Sequence, residues 1–343
     1  MRVAVSSGIV SAAIVALALA GFRSADRGAV GDVAVDAAGA RLAIDLAGHV
    51  RSVGAFAPDE PPSVLVSPDG RWRAVLRSSG TSGNTATVAI GRHAPDGALH
   101  VVERHLYAGT GRAVWSPDSR WLALATWVPH VVSAIAVGVD GRRILLARPF
   151  CGDFSTGPAW APRGDTIAVS VPATRGSGCR QGADLRLQAV ASGRRRVIAH
   201  GIAGAPAWSP DGRWIMTTGG GGVEVMRADG SQRRALPAGA ASWGPRGHLL
   251  VLESGNEAAL ALAQAAGPLR PFDAQVQSPP TPAFSPDGRL LAYARRDAIV
   301  VRRAADRSVV AEVPISTVTV RRIAWAADGR SLRVDARQLR RSD

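Results

Sequence analysis

The sequence predicts an all-β fold: a seven-bladed β-propeller of four-stranded antiparallel blades, closed by pairing an N-terminal outer hairpin with a C-terminal inner hairpin. Three observations predict it. A turn of the Ser-Pro-Asp-Gly kind recurs seven times at a spacing near forty residues, a less regular hairpin lies between successive copies, and the two chain ends each supply half of one such unit. At 343 residues two domains would be the default, but repeats escape that expectation because each unit builds its core against its neighbour.

The copies read VLVSPDGRWRAVL from Val64, AVWSPDSRWLALA from Ala113, PAWAPRGDTIAVS from Pro158, PAWSPDGRWIMTT from Pro206, ASWGPRGHLLVLE from Ala241, PAFSPDGRLLAYA from Pro282 and IAWAADGRSLRVD from Ile323. Counted from Asp69 through Asp118, Arg163, Asp211, Arg246, Asp287 and Asp328, the steps are 49, 45, 48, 35, 41 and 41 residues. Pro presets the turn dihedral, Asp can bond its own backbone and Gly accepts the positive φ that ends the turn, so the flanking segments are antiparallel strands. Trp115, Trp160, Trp208, Trp243 and Trp325 share one position before the turn, with Val66 and Phe284 in the other copies. Their equivalence implies packing between neighbouring blades. Trp72, Trp121 and Trp214 share a second position just after it.

Between these inner hairpins lie outer ones, such as SAIAVGVDGRRILLA from Ser133 and VEVMRADGSQRRAL from Val223, with short turns of the two-strand kind. Only about fifteen residues follow Asp328, so the last blade lacks its outer hairpin. DVAVDAAGARLAIDL from Asp32 resembles one, and pairing it with the C-terminal inner hairpin removes exposed sheet edges. Eight blades would require the N-terminal segment to form a full blade.

Residues 1–22 carry an uncharged apolar run after Arg2. It reads as a cleavable export signal, with Ala18 and Ala20 at the small-residue cleavage positions, or as an uncleaved membrane anchor. Residues 23–31 are then a linker, 32–337 the propeller and 338–343 a basic tail. The expected location is periplasmic, cell-surface or secreted, with membrane contact only through an uncleaved residue 3–22 segment, and the expected state is monomeric.

All 41 basic residues are arginine, against 27 acidic ones, for a net charge of +14. Attraction to an acidic polymer would explain the excess. So would GC-rich coding, which writes Arg, Ala and Gly onto any solvated surface. Export argues against a nucleic-acid partner.

With its W-S-P-D-G copies, the stretch from about residue 30 to 337 resembles the TolB-like propellers, whose blades carry that signature and which share it with the propeller domains of prolyl oligopeptidases. The resemblance implies the fold and no single function, because the same blade serves accessory proteins of transporters, peptidase gates and polysaccharide binders. The α/β domain that precedes the TolB propeller has no counterpart expected here. The copies also lack the Gly-His and Trp-Asp pairs of true WD repeats.

Nucleophile elbows, H-E-x-x-H, Walker and dinucleotide motifs are absent from the sequence. Ten acidic residues read as turn formers: Asp69, Asp118, Asp211, Asp287 and Asp328 in inner turns, Asp36, Asp96, Asp140, Asp229 and Asp306 in or beside outer ones. His49, His105 and His200 end outer strands of three blades and are too dispersed for a shared metal, so neither a metal nor a cofactor is expected. In such a blade both hairpin turns lie at one end, while the loops joining second to third strand and blade to blade lie at the other. Binding concentrates on loops, which makes Arg112, Trp127, His130, Asp153 and Arg321 the candidate binding residues. Cys151 and Cys179 are assigned to the third blade, where export would permit a disulfide. The leading expectation is a non-enzymatic binding protein of the cell envelope that engages a protein or peptide. The alternatives are a polysaccharide hydrolase or lyase using carboxylates such as Asp153 or Glu257, and a polyanion-binding surface protein.

Overall fold

A computed structural model describes residues 40–338 apart from 48, 56–62, 80–84, 95, 108–112, 129–130, 152–156, 173–182, 203, 220–221, 237–239, 254–257, 278–281 and 316–317. The described residues form seven four-stranded antiparallel sheets and no helix. The fold is a seven-bladed β-propeller. Six blades run in chain order over residues 63–107, 113–151, 159–202, 204–236, 240–276 and 283–314, and the seventh combines both ends of the chain.

In that seventh sheet the strand Ala40–Asp45 lies beside Ser331–Gln338, with Leu42 opposite Val334 and Ile44 opposite Leu332. The predicted pairing of the two chain ends in one sheet is therefore present, but its hairpin is displaced along the chain. Its strands are Ala40–Asp45 and Val50–Ala55 rather than the two halves of residues 32–46. The cause is local. The Asp45 carboxylate accepts the backbone N–H of Ala47 and of His49, both at 2.9 Å, and so makes the turn. His49 consequently sits in that turn, its Nδ1 2.8 Å from Asp45 Oδ2, and does not end an outer strand.

The repeated inner turn is one hydrogen-bonded device. In the first blade, the Ser67 hydroxyl donates to Asp69 Oδ1 at 2.6 Å and accepts the N–H of Trp72 at 3.0 Å, while Asp69 Oδ1 also accepts the N–H of Arg71. Ser116, Ser209 and Ser285 repeat the arrangement with Asp118, Asp211 and Asp287. All four serines are buried, and this double bonding satisfies a hydroxyl whose burial would otherwise cost about 1–3 kcal/mol.

Contacts divide the chain into two compact units, Glu60–Ser254 with Ala261–Arg270, and Met1–Asp59 with Gly255–Leu260 and Pro271–Asp343. In the larger unit the core lies between successive blades. Trp115, Leu122, Leu124 and Ile135 of the second blade pack on Ala74, Val88 and Ile90 of the first. The shared tryptophans add a directed bond: Trp115 Nε1 donates to the Leu65 carbonyl, Trp160 to Val114, Trp208 to Ala159 and Trp243 to Ala207, at 2.9–3.1 Å. Each acceptor stands one residue before the equivalent position in the preceding blade, so one rule sets the lateral registration of all five first strands. In the smaller unit Trp325 donates to Ala283 at 2.8 Å in the same way.

Candidate functional site

The turn end of the first two blades encloses a groove of about 600 Å³. Ile90, Val102 and Val139 supply apolar lining, and Trp72, Arg92, Asp96, His100 and Asp140 supply polar or aromatic groups. One wall carries Ala94, Asp96, Gly97 and Ala98 of the first blade, and the other is the second blade's outer turn at Gly138–Gly141.

Both walls are built from tight backbone. At Gly91 a side chain would place its Cβ 2.0 Å from the Ala98 carbonyl oxygen, so only glycine lets the two strands of that hairpin approach as they do. In the second wall, the Gly141 N–H donates to the Gly138 carbonyl and Asp140 Oδ1 accepts the N–H of Arg142 at 3.0 Å. The walls are tied down to the inner turns: the His93 N–H donates to the Arg71 carbonyl and the Val139 N–H to the Arg120 carbonyl. Arg73 reaches from the second strand to the Gly97 carbonyl at 3.1 Å and holds the first wall.

Trp72 begins the second strand and pairs with Arg92 across the sheet. The Arg92 guanidinium stands 5.1 Å from the Trp72 ring centroid, and Arg227 repeats the arrangement over Trp214. His100 is exposed at the rim. The site combines an apolar base, a rim of mixed charge and rigid backbone walls, which suits it to receive a side chain or a short extended segment.

The sequence reading placed the site at the opposite end. Arg112, His130, Asp153, Glu257 and Cys179 lie outside the described residues, as does Asp36. Trp127 is a strand residue, paired with Val132 near the end of Trp121–Val128, and not a loop residue. Cys151 closes the fourth strand of the second blade, Arg143–Cys151, so it does not belong to the third blade. Strand 143–151 carries two register irregularities and runs on through the segment read as a connection.

Arg321 is exposed in the first strand of the seventh blade, where the register shifts between Val320 and Arg322. That bulge leaves Arg321 and Arg322 consecutively exposed, and Gln277 Oε1 accepts the Val320 N–H at 3.2 Å.

The described acidic residues are mostly engaged in structural bonds. Asp229 and Asp306 cap outer turns through Ser231 and Ser308. Asp184, buried in the third blade, lies 3.0 Å from His200 Nδ1. Within the smaller unit, Asp273 accepts the Tyr293 hydroxyl, and its Oδ2 stands 3.4 Å from Arg302 and 3.7 Å from Arg295, which also meets Glu312 at 3.6 Å. Burial, and then the Asp273 carboxylate, push the Tyr293 hydroxyl well above its ordinary pKa, which keeps it a donor.

No protein-family profile matches the sequence, and no curated protein does. Solved structures match by fold. TolB from Acinetobacter baumannii is 14% identical with a TM-score of 0.44 over 80% of this chain and 66% of its own, so the chain spans just under two thirds of that protein. A putative 6-phosphogluconolactonase from Bacteroides uniformis is 14% identical with a TM-score of 0.46, over 81% of this chain and 100% of its own. The Swd1 β-propeller domain of Myceliophteria thermophila is 14% identical with a TM-score of 0.51, over 82% of this chain and 98% of its own. This last likeness agrees with the propeller read from the sheets.

Proposed function

We propose that the protein is an exported, non-enzymatic binding propeller of the cell envelope that engages a protein or peptide partner. The observation that carries this reading is the groove between the first two blades, which offers an apolar base within walls of bonded backbone. The carboxylate of Asp140 at its rim is already bonded to a turn N–H. Export rests on the apolar run of residues 1–22, as a cleaved signal or as an anchor. Further contacts belong to the same proposal, through Arg112, Trp127, His130 and Asp153 in the larger unit and, separately, through Arg321 in the smaller unit, where a bulge supports its exposure. So does a disulfide between Cys151 and Cys179.

The test is affinity capture from envelope extract with the full chain as bait, alongside assays of turnover on glycans and peptides. A specific protein partner that is lost when Val139 is replaced by Arg supports the reading. Turnover of a glycan without any captured protein overturns it in favour of the hydrolase or lyase alternative, with a carboxylate such as Asp153 or Glu257 as acid or base.

A further inference from the structure

We propose that the turn end of the larger unit binds an acidic, extended segment of a partner protein, gripped by arginines of successive inner turns and anchored by an apolar side chain in the groove. The inference rests on the binding reading above and names the chemistry of the partner.

Its first support is position. The inner turns of the first four blades each present one exposed arginine: Arg71, Arg120, Arg163 and Arg213. The tryptophan bonds hold these blades in one lateral register, and the Asp69 N–H donates to Ser119 Oγ from one inner turn to the next at 3.0 Å. The four arginines therefore stand along one rim rather than on scattered surfaces. Outer turns of the same blades add Arg92, Arg142, Arg194 and Arg227.

The second support is that these charges remain available. Arg71 and Arg213 are 77% and 76% exposed, and their nearest carboxylate oxygens, on Asp69 and Asp211, stand 3.9 Å away. Those aspartates are held by serine hydroxyls and backbone N–H groups. Exposed pairs at such separation contribute little to the fold, and a guanidinium in this setting keeps donors for a bidentate carboxylate.

The groove decides between kinds of acidic partner. One face of Trp72 lies under the Arg92 guanidinium, which closes that face to a sugar ring. A flat anionic bilayer could meet the rim arginines but would not enter the space between the walls. A peptide with carboxylates flanking one apolar side chain satisfies both features.

The experiment uses the full chain and a labelled Glu-rich peptide carrying one Phe. Comparison probes are the same peptide with Gln for Glu, the same peptide with Ala for Phe, vesicles containing phosphatidylserine, and polygalacturonate. The Glu-rich peptide is expected to bind, both altered peptides to bind more weakly, and the affinity to fall as salt rises. The double variant Arg71→Gln, Arg120→Gln is expected to weaken binding roughly tenfold, whereas Arg77→Gln with Arg148→Gln, an equal loss of charge at exposed strand positions away from the turns, leaves it unchanged. Equal weakening by the two pairs would overturn the proposal, since total charge and not placement would then govern. Binding of vesicles or polygalacturonate in preference to the peptide would also overturn it. A partner captured from envelope extract that binds the Arg71 and Arg120 variant as tightly as the parent would leave the binding reading standing and remove this one.

Discussion

The backbone N–H of Asp69 donates to the Oγ of Ser119, 3.0 Å away and fifty residues along the chain, and so joins the inner turns of the first two blades. Ser119 occupies the place that glycine holds in Gly70, Gly212, Gly288 and Gly329, and it does so at a φ of 61°. A non-glycine residue there is strained by about 1–2 kcal/mol, and the inter-blade bond contributes about 1 kcal/mol in return. Ser119→Ala is therefore expected to lower stability by about 1 kcal/mol, since the strain stays and the bond goes. Ser119→Gly removes both and should leave the midpoint of urea unfolding nearly unchanged. A Gly variant as unstable as the Ala variant would contradict this account.

The tryptophan bonds make a related prediction. Trp160→Phe keeps most of the buried ring but leaves the Val114 carbonyl without its 3.0 Å donor, at a cost of about 1–3 kcal/mol. Trp160→Ala also opens a cavity against Ile167 and Val169 and should cost about 3–5 kcal/mol. Thermal unfolding of the two variants separates the bond from the packing.

Much of this was legible in the sequence because the repeat multiplies each signal. A single Trp before a turn says little. Five at one position imply one environment, and the chain places all five in the same bond. The N-terminal hairpin was harder because it contains two candidate turns in succession, Asp36 to Gly39 and Asp45 to Gly48. The second forms in the structure, and with it Leu42 and Ile44 face the core of the seventh blade. The groove was missed for a different reason. Its walls come from residues 94, 96–98 and 138–141, which no local pattern connects, and its chemistry sits at the turn end that regularity makes look purely structural. The cross-strand pairing of Arg92 with Trp72 was the available clue.

Asp273 holds two arginines in place inside the smaller unit, and among the described residues only Arg295 has a second carboxylate, Glu312. Asp273→Asn keeps the size of the side chain but removes the countercharge, and breaking a buried pair in this way is expected to cost about 3–5 kcal/mol. Tyr293→Phe should cost about 1 kcal/mol because the ring still packs edge-on against Phe272. A double-mutant cycle should show coupling, because the hydroxyl and the carboxylate share one bond. Additive losses would mean that the network does not act as a unit.

If Cys151 and Cys179 are joined as proposed, the exported protein has no free thiol until it is reduced, and reduction lowers its stability by about 3 kcal/mol. Mass measurement after alkylation, with and without reductant, reads the first outcome directly. Two thiols labelled without reductant would remove the disulfide.

Acid should loosen the turns first. Hydrogen bonds from the hydroxyls of Ser67, Ser231 and Ser308, followed by backbone N–H donors, hold the carboxyls of Asp69, Asp229 and Asp306 below the usual aspartate range. A carboxylate whose pKa is depressed by folding binds fewer protons in the native state than in the unfolded one. Its stabilisation is complete above the unfolded value of about 3.9 and is lost as pH falls through the lower folded value. Urea midpoints measured between neutral pH and strong acid should thus be flat at first and then decline below the ordinary aspartate pKa. Asp229→Asn and Asp306→Asn together should make that decline shallower while lowering the neutral-pH midpoint. A decline of unchanged steepness would place the acid sensitivity in other carboxyls, with Asp45 and Asp211, which the fold also holds below the usual aspartate range, as the first to test.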